Sequence, residues 1–143
     1  GAGNVGSRVL RAAGILGLRT LVNDPPRERA GLGSGYVSLD RLLSEADIIT
    51  VHVPLARQGD HPTYHMVNGA FLSKMKQGAI LINTSRGAVI DEQALGQRRS
   101  RLGAVVLDVW ENEPSISAKT AVLADIATPH IAGYSLEGKV RGT

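Results

Sequence analysis

The sequence has no cysteine, few aromatic residues and no long apolar run. None of its 143 residues is Cys, and only 3% are Phe, Trp or Tyr. The lack of cysteine excludes a disulfide scaffold and a zinc site built on thiolates. No apolar run approaches the roughly 18 residues that a membrane span requires, so we expect no membrane partner. The 43% of hydrophobic residues instead predicts one globular domain with a real core.

The chain also has little excess of one charge over the other. The chain has 16 Lys and Arg against 13 Asp and Glu, a net charge of +3. The one tight basic cluster comprises Arg98, Arg99 and Arg101. Few aromatic residues accompany it. The favoured interpretation is therefore a solvated C-terminal helix end, where cations interact favourably with the negative end of the helix dipole. We therefore expect no nucleic-acid partner.

What is present is an alternation of helical patterns with short apolar runs. The patterns predict helices at 4–17, 38–46, 68–75, just after 91 and at 118–124, strands at 20–22, 48–53, 79–83, 104–109 and 126–127, and loops at 27–35 and 55–66. Nearly continuous apolar strands are typical of a parallel sheet covered on both faces. Right-handed crossovers then give an α/β fold, a doubly wound parallel sheet of the Rossmann type.

The chain opens on the glycine run Gly-Ala-Gly-Asn-Val-Gly. Such a run normally follows a strand, so we expect the first strand to lie before Gly1 and the chain to be a fragment of a longer protein. Gly1 permits the tight turn, Gly3 lets a pyrophosphate approach the backbone, and Gly6 lets the helix pack closely. The helix N-terminus, with Asn4 and Val5, supplies N–H groups to phosphates. A plain glycine-rich turn is the alternative.

A carboxylate stands at the end of the second predicted strand. Asp24 lies 18 residues after Gly6, where an acidic residue accepts hydrogen bonds from the adenosine ribose. The same charge repels the 2′-phosphate of NADP, so the sequence favours NAD. Arg27 nearby weakens that argument, and a turn-forming Asp before Pro25 is the alternative.

Arg86, Glu113 and His130 each lie just past a predicted strand. The carboxyl ends of parallel strands share one edge, where doubly wound sheets bind ligands. A histidine held by a carboxylate can take and return a proton near neutral pH. An arginine can grip a carboxylate and stabilise charge on a carbonyl oxygen. The three residues therefore fit hydride transfer from an alcohol carbon to nicotinamide, although each could be an ordinary surface residue.

The remaining histidines and aromatic residues indicate less. His52 lies in a predicted strand and is interpreted as a hydrogen-bonded structural residue. His61 and His65 share a polar loop without a third ligand, so we predict no metal site. Trp110 is interpreted as core, and Tyr134 either as core or as a hydrogen-bond donor to substrate.

Taken together, these motifs resemble the NAD-binding domain of the D-isomer-specific 2-hydroxyacid dehydrogenases. The resemblance covers the whole chain and rests on the glycine run with Asp24, on His52-Val53-Pro54-Leu55, on residues 82–87, on residues 107–110 with Glu113-Pro114, and on Thr128-Pro129-His130. The stretch from His130 to Lys139 resembles one branch of the family. It implies a phosphorylated 2-hydroxy acid as substrate. Other family members acting on glycerate, phosphoglycerate or lactate remain the alternative.

The resemblance implies a role for each matched residue. Arg86 would bind the carboxylate and 2-oxygen of the substrate, while His130 would be the acid and base with Glu113 as its partner. Asp108 would lie near the nicotinamide carboxamide.

Other positions would line the same site. Asp24 would hold the ribose, Gly133 would approach the cofactor, and Tyr134 would approach the substrate. Val53 stands where relatives often carry Thr, so it would contact the cofactor only through its backbone. Gly96 makes the helix after Asp91 look short, and we expect local irregularity there.

The resemblance also implies parts outside this chain. The family has a second domain, and the active site is the cleft between the two. We therefore expect the isolated chain to bind NAD weakly at most and to lack useful turnover. The full-length protein is expected to be a homodimer in the bacterial cytoplasm. A non-catalytic NAD-binding regulatory protein on the same fold is the alternative from another functional class.

Overall fold

The computed structural model describes residues 1–133 as a parallel sheet flanked by helices. The helices are α1 Asn4–Ile15, α2 Pro25–Arg29, α3 Leu39–Glu45, α4 Gly69–Lys74, α5 Glu92–Arg98 and α6 Ala118–Ala121. The strands are β1 Ile48–Val51, β2 Ile80–Asn83, β3 Ala104–Leu107 and β4 Ile126–Ala127. Short 3₁₀ turns occupy Gly87–Val89 and Arg99–Arg101. Within these residues no helix is both long and apolar enough to cross a membrane.

The four strands lie side by side in chain order, β1-β2-β3-β4, and every pair is parallel. The register aligns Ile49 with Leu81 and Leu81 with Val105. Because all strands run the same way, the loops that follow them emerge at one edge of the sheet. The predicted parallel α/β architecture is therefore confirmed, and that edge carries the site described below.

One face of the sheet forms the core. Along β1, β2 and β3, every second side chain is buried on this face and packs against α3, α4 and α5. The buried apolar strand residues are Ile49, Val51, Leu81, Val105 and Leu107, and the buried helix residues include Leu43, Phe71, Leu72 and Leu95. The opposite face is different, because Ile48 is 49% and Ile126 57% exposed. Both residues lie on the edge strands β1 and β4, and on the inner strands the residues of this face are partly buried. This face is therefore covered less completely than the core face, since Gly6 is the one buried residue of α1.

Two local predictions are corrected. The segment 20–22 is not a strand; among the described residues its one ladder contact is a single bridge between Val22 and Tyr36. Residues 27–35 are not all loop, because α2 begins at Pro25. Asp24 caps α2 by accepting a hydrogen bond from the Arg27 N–H, and the prolines fix the φ angle of the first turn.

The other helix signals are confirmed. The side chains of Ser38, Asn68 and Asp91 accept hydrogen bonds from backbone N–H groups at the starts of α3, α4 and α5. The irregularity expected after Asp91 is also found, because α5 is short and passes into the 3₁₀ turn Arg99–Arg101.

Candidate active site and cofactor cradle

The glycine run lies against the carboxyl end of β1. A Cβ atom added at Gly1 would stand 2.2 Å from the His52 carbonyl oxygen, and one added at Gly6 would stand 2.1 Å from the Gly1 carbonyl oxygen. No larger residue fits at either position without moving the backbone. A Cβ at Gly3, in contrast, would meet nothing within 4 Å. Gly1 and Gly6 therefore pack tightly against backbone atoms, whereas the space beside Gly3 is open.

A cavity of about 600 Å³ adjoins the glycine run. Its lining includes Gly1, Gly3, Asp24, Val53 and residues 60–63. In the described part of the chain no side chain caps the N-terminus of α1, so its first N–H groups and its dipole are available to an anion. The cavity and the open N-terminus together fit a dinucleotide.

Asp24 has two structural contacts, of which the sequence indicated the local one before Pro25 but not the one with the glycine run. Its Oδ2 accepts a hydrogen bond from the Ala2 N–H at 2.7 Å, and its Oδ1 accepts one from the Arg27 N–H at 3.1 Å. It therefore ties the glycine run to α2. Because a carboxylate offers about four acceptor positions, capacity for a ribose diol remains.

Gly3→Ala is expected to leave folding intact and to weaken NAD binding. Since the added methyl meets no protein atom within 4 Å, the midpoint of thermal unfolding stays that of the wild type. The methyl instead occupies the space through which a pyrophosphate approaches the backbone. Calorimetric titration of the complete protein with NAD measures the effect. Unchanged affinity would show that the cofactor does not pass over Gly3.

The turn after β2 exposes Arg86 at the carboxyl edge of the sheet. Asn83 is fully buried; its Oδ1 accepts hydrogen bonds from the backbone N–H and the hydroxyl of Ser85. Its Nδ2 donates to the Arg86 carbonyl. Asn83 thus organises the turn, and the only sequence sign of this was a polar residue ending an apolar strand.

Glu113 and His130 form the contact that the sequence predicted. The Nδ1 of His130 lies 2.6 Å from Glu113 Oε2, and Glu113 Oε1 accepts a hydrogen bond from the Trp110 N–H. Burial by itself raises the pKa of Glu113, but the hydrogen bonds from His130 and Trp110 outweigh it and hold that pKa below its ordinary value. Glu113 is therefore ionised at neutral pH and keeps the proton on Nδ1, which leaves Nε2 free to exchange one.

Asp108 anchors the loop that carries His130. Its carboxylate accepts hydrogen bonds from the Thr128 hydroxyl at 2.5 Å and from the N–H groups of Ile131 and Ala132. Burial raises its pKa, but these three donors lower it by more, so the pKa lies below its ordinary value. The contact with nicotinamide stays a prediction, and the anchoring of the loop was missed.

Stability is expected to fall in acid through Asp108 and Glu113. Both have folded-state pKa values below their ordinary values of 3.8 and 4.5. Their stabilisation is therefore fully present above about pH 5 and is lost as the pH falls through the folded values. Urea denaturation measures the free energy of unfolding between about pH 3 and about pH 7. As the pH falls, this free energy is expected to decrease less steeply in Asp108→Asn than in the wild type. Asp40→Asn, at an exposed carboxylate, is the matched control; equal slopes in both variants would contradict the assignment.

The other histidines have separate partners. Thr50 Oγ1 lies 2.9 Å from His52 Nε2, and burial lowers the pKa of His52. His61 contacts Arg29, whereas His65 contacts Glu111. In residues 1–133 no three His, Cys, Asp or Glu side chains cluster closely enough to hold a metal ion.

Trp110 and Gly133, which the sequence singled out, differ in their exposure. Trp110 is buried, and its indole N–H donates to the Thr128 carbonyl. Gly133 is exposed and has room around it for a ligand. Tyr134 lies outside the described residues.

Comparison with known proteins matches this arrangement to one family. The family model described as "D-isomer specific 2-hydroxyacid dehydrogenase, NAD binding domain" matches residues 1–132. The chain belongs to the D-isomer specific 2-hydroxyacid dehydrogenase family. It comprises the NAD-binding domain of that family, and NAD is therefore its cofactor.

Relatives within the family are similar over the whole chain. The chain is 53% identical over 149 residues to erythronate-4-phosphate dehydrogenase of Salinibacter ruber and 51% identical over 145 residues to that of Photorhabdus laumondii. Both alignments cover 100% of this chain but only 38% and 39% of the relatives.

Solved structures of the family have the same fold. D-Lactate dehydrogenase from Aquifex aeolicus, complexed with NAD and lactic acid, has a TM-score of 0.82 at 35% identity. That comparison covers 99% of this chain and 47% of the other. A glyoxylate reductase from Paecilomyes thermophila has a TM-score of 0.78 at 32% identity, covering 99% of this chain and 43% of the other. These likenesses support the Rossmann-type fold predicted from the sequence.

Proposed function

We propose that the complete protein containing this chain oxidises the C2 hydroxyl of 4-phosphoerythronate to a 2-oxo acid with NAD. The observation that carries the proposal is the 2.6 Å contact between Glu113 and His130 at the sheet edge that also bears Arg86. A proton-transfer pair and a cation on neighbouring loops are what oxidation of a 2-hydroxy acid requires. The proposed substrate is taken from the relatives named erythronate-4-phosphate dehydrogenase.

In this proposal, His130 Nε2 accepts the hydroxyl proton as the C2 hydrogen leaves as hydride. Bound NAD supplies the hydride acceptor. Glu113 stabilises the imidazolium that forms, since it remains ionised beside Nδ1. Arg86 pairs with the substrate carboxylate and with the developing carbonyl oxygen. Tyr134 supplies a further hydrogen bond to substrate.

The cofactor would be held by the residues around the cavity. The N–H groups at the start of α1, including Asn4 and Val5, bind the pyrophosphate beside Gly1, Gly3 and Gly6. Asp24 binds the adenosine ribose, and Val53 contacts the cofactor through its backbone. Asp108 and Gly133 would lie near the nicotinamide end.

The proposal extends to the parts of the protein outside this chain. A second domain completes the cleft and contributes the groups that bind the substrate phosphate. The complete protein forms a homodimer, works in the bacterial cytoplasm and serves vitamin B6 biosynthesis. The isolated 143-residue chain is expected to have no useful turnover.

The test is NADH formation by the complete protein, offered 4-phosphoerythronate and, in parallel, D-glycerate and 3-phosphoglycerate. Turnover selective for 4-phosphoerythronate supports the proposed substrate. Activity confined to the other two would keep the mechanism and overturn the substrate. NAD binding without turnover of any of the three would favour a regulatory protein.

A further inference from the structure

A second histidine–carboxylate pair lies beside the proposed catalytic groups. His65 Nε2 is 3.0 Å from Glu111 Oε1. The two side chains are only 31% and 21% exposed, so water screens the pair less than it screens a surface ion pair. The sequence suggested nothing of this contact, because 46 residues separate the partners.

The backbone around His65 is held in place for this contact. The His65 N–H donates to the Ala88 carbonyl at 2.9 Å, and the Val67 N–H donates to the Val89 carbonyl. His65 has a φ of 49°, a left-handed conformation that is uncommon for residues other than glycine. Its ring stacks on Tyr64 with 4.0 Å between ring centroids. Hydrogen bonds and stacking therefore fix the ring against Glu111.

The contact between His65 and Glu111 connects two segments that also contact a common third segment. Residues 64–67 bond to the 3₁₀ turn Gly87–Val89, and Gly87 lies directly against the backbone of Trp110 and Glu111. The His65 side chain then joins the first segment to the third. Arg86 immediately precedes the second segment, and Glu113 lies two residues after Glu111.

The Glu111 turn is also held from its other side. Its backbone N–H donates to Glu92 Oε1 at 3.0 Å, and the Thr120 hydroxyl donates to Glu92 Oε2. These contacts fix the backbone of Glu111, while His65 fixes its side chain. The Trp110 N–H, one residue earlier, is the group that binds Glu113.

We propose that His65 is a positioning residue which, through Glu111, holds the Trp110–Glu113 turn against the turn that bears Arg86. The inference rests on the proposed dehydrogenase function. His65 does not line the cavity beside the glycine run, and in this inference it acts without touching substrate or cofactor. By fixing the turn, it sets where Glu113 presents His130 relative to the Arg86 guanidinium. Small displacements between such groups lower rates strongly, because proton transfer and charge stabilisation require aligned geometry.

The first test is the kinetics of the complete protein. His65→Ala is expected to lower kcat roughly tenfold while KM for NAD stays unchanged, since the His65 side chain is not among the groups that line the cavity. His65→Gln retains an N–H donor for Glu111 and is expected to recover most of kcat. The double variant His65→Ala/Glu111→Ala is expected to lose no more than either single variant, because both remove the same contact.

A matched control breaks an ion pair at the amino edge of the sheet. Lys76 and Asp47 pair there, far from the strand ends that carry the site. The variant Lys76→Ala/Asp47→Ala is expected to keep the wild-type kcat. If His65→Ala behaves as this control does, or if the His65 and Glu111 losses simply add, the inference is overturned.

A second test does not depend on turnover. The imidazole resonances of His130, assigned by their absence in His130→Gln, are followed by heteronuclear NMR. They are expected to shift in His65→Ala and Glu111→Ala but not in the Lys76→Ala/Asp47→Ala control. Unchanged His130 resonances in both variants would overturn the inference. A wild-type protein that oxidises no 2-hydroxy acid would instead refute the proposed function, while the NMR result still decides the role of His65.

Discussion

Replacing His130 with glutamine in the complete protein is expected to lower kcat by roughly two to four orders of magnitude. The imidazole Nδ1 lies 2.6 Å from Glu113, so the ring is already held in the tautomer that leaves Nε2 to accept the hydroxyl proton. A glutamine side chain can hydrogen-bond but cannot take the proton at neutral pH. Single-turnover measurement of NADH formation separates this loss from any change in cofactor binding.

The partner carboxylate supplies a graded comparison. Glu113→Gln is expected to retain some activity, because the amide keeps a contact with His130 but loses the charge that stabilises the imidazolium. Glu45→Gln is the matched control, since that carboxylate pairs with Arg41 at the exposed end of α3. A His130→Gln enzyme with wild-type kcat would remove His130 from the mechanism.

Gly87→Ala is expected to destabilise the protein by about 3 kcal/mol and to abolish activity. A Cβ at this position would lie 1.9 Å from the Trp110 carbonyl carbon, 2.0 Å from its oxygen and 2.4 Å from the Glu111 nitrogen. These are backbone atoms and cannot rotate away. The turns that bear Arg86 and Glu113 must therefore separate. Urea denaturation followed by tryptophan fluorescence measures the loss, because Trp110 lies at the contact.

Gly14→Ala is the control for this substitution. Gly14 lies within α1, and a Cβ there would meet nothing within 4 Å. Alanine in a helix interior is expected to stabilise the protein by about 0.5–1 kcal/mol, since it restricts the unfolded chain more than glycine does. A Gly87→Ala protein as stable as Gly14→Ala would show that the two turns can part without cost.

The local elements were predictable because their causes are local. Apolar runs at 48–53, 79–83 and 104–109 predicted three strands of the parallel sheet, which end in the structure at residues 51, 83 and 107. Ser38, Asn68 and Asp91 marked three helix starts through their capping side chains. The segment 20–22 had the same β-prone composition, yet within residues 1–133 it forms a single bridge. Strand formation requires a neighbouring strand, and composition does not show whether one is present.

The candidate site divides in a similar way. Arg86, Glu113 and His130 could be selected from the sequence because each follows a predicted strand, and parallel strands end at one edge. Asn83 and Asp108 were recognised as residues of those same stretches but not as the groups that build the turns. Their hydrogen bonds to Ser85, Thr128 and Ala132 depend on how the loops fold back.

The sequence by itself determined most of the order of helices and strands, the glycines that pack against backbone atoms, and the choice of Glu113 and His130 as a contact pair. Tertiary structure alone decided which face of the sheet is more deeply buried, that Asp24 also binds the Ala2 N–H, and that His65 meets Glu111. The physical reason is range. Capping and strand propensity act between near neighbours, whereas burial and side-chain pairing depend on contacts between segments that only the folded chain brings together.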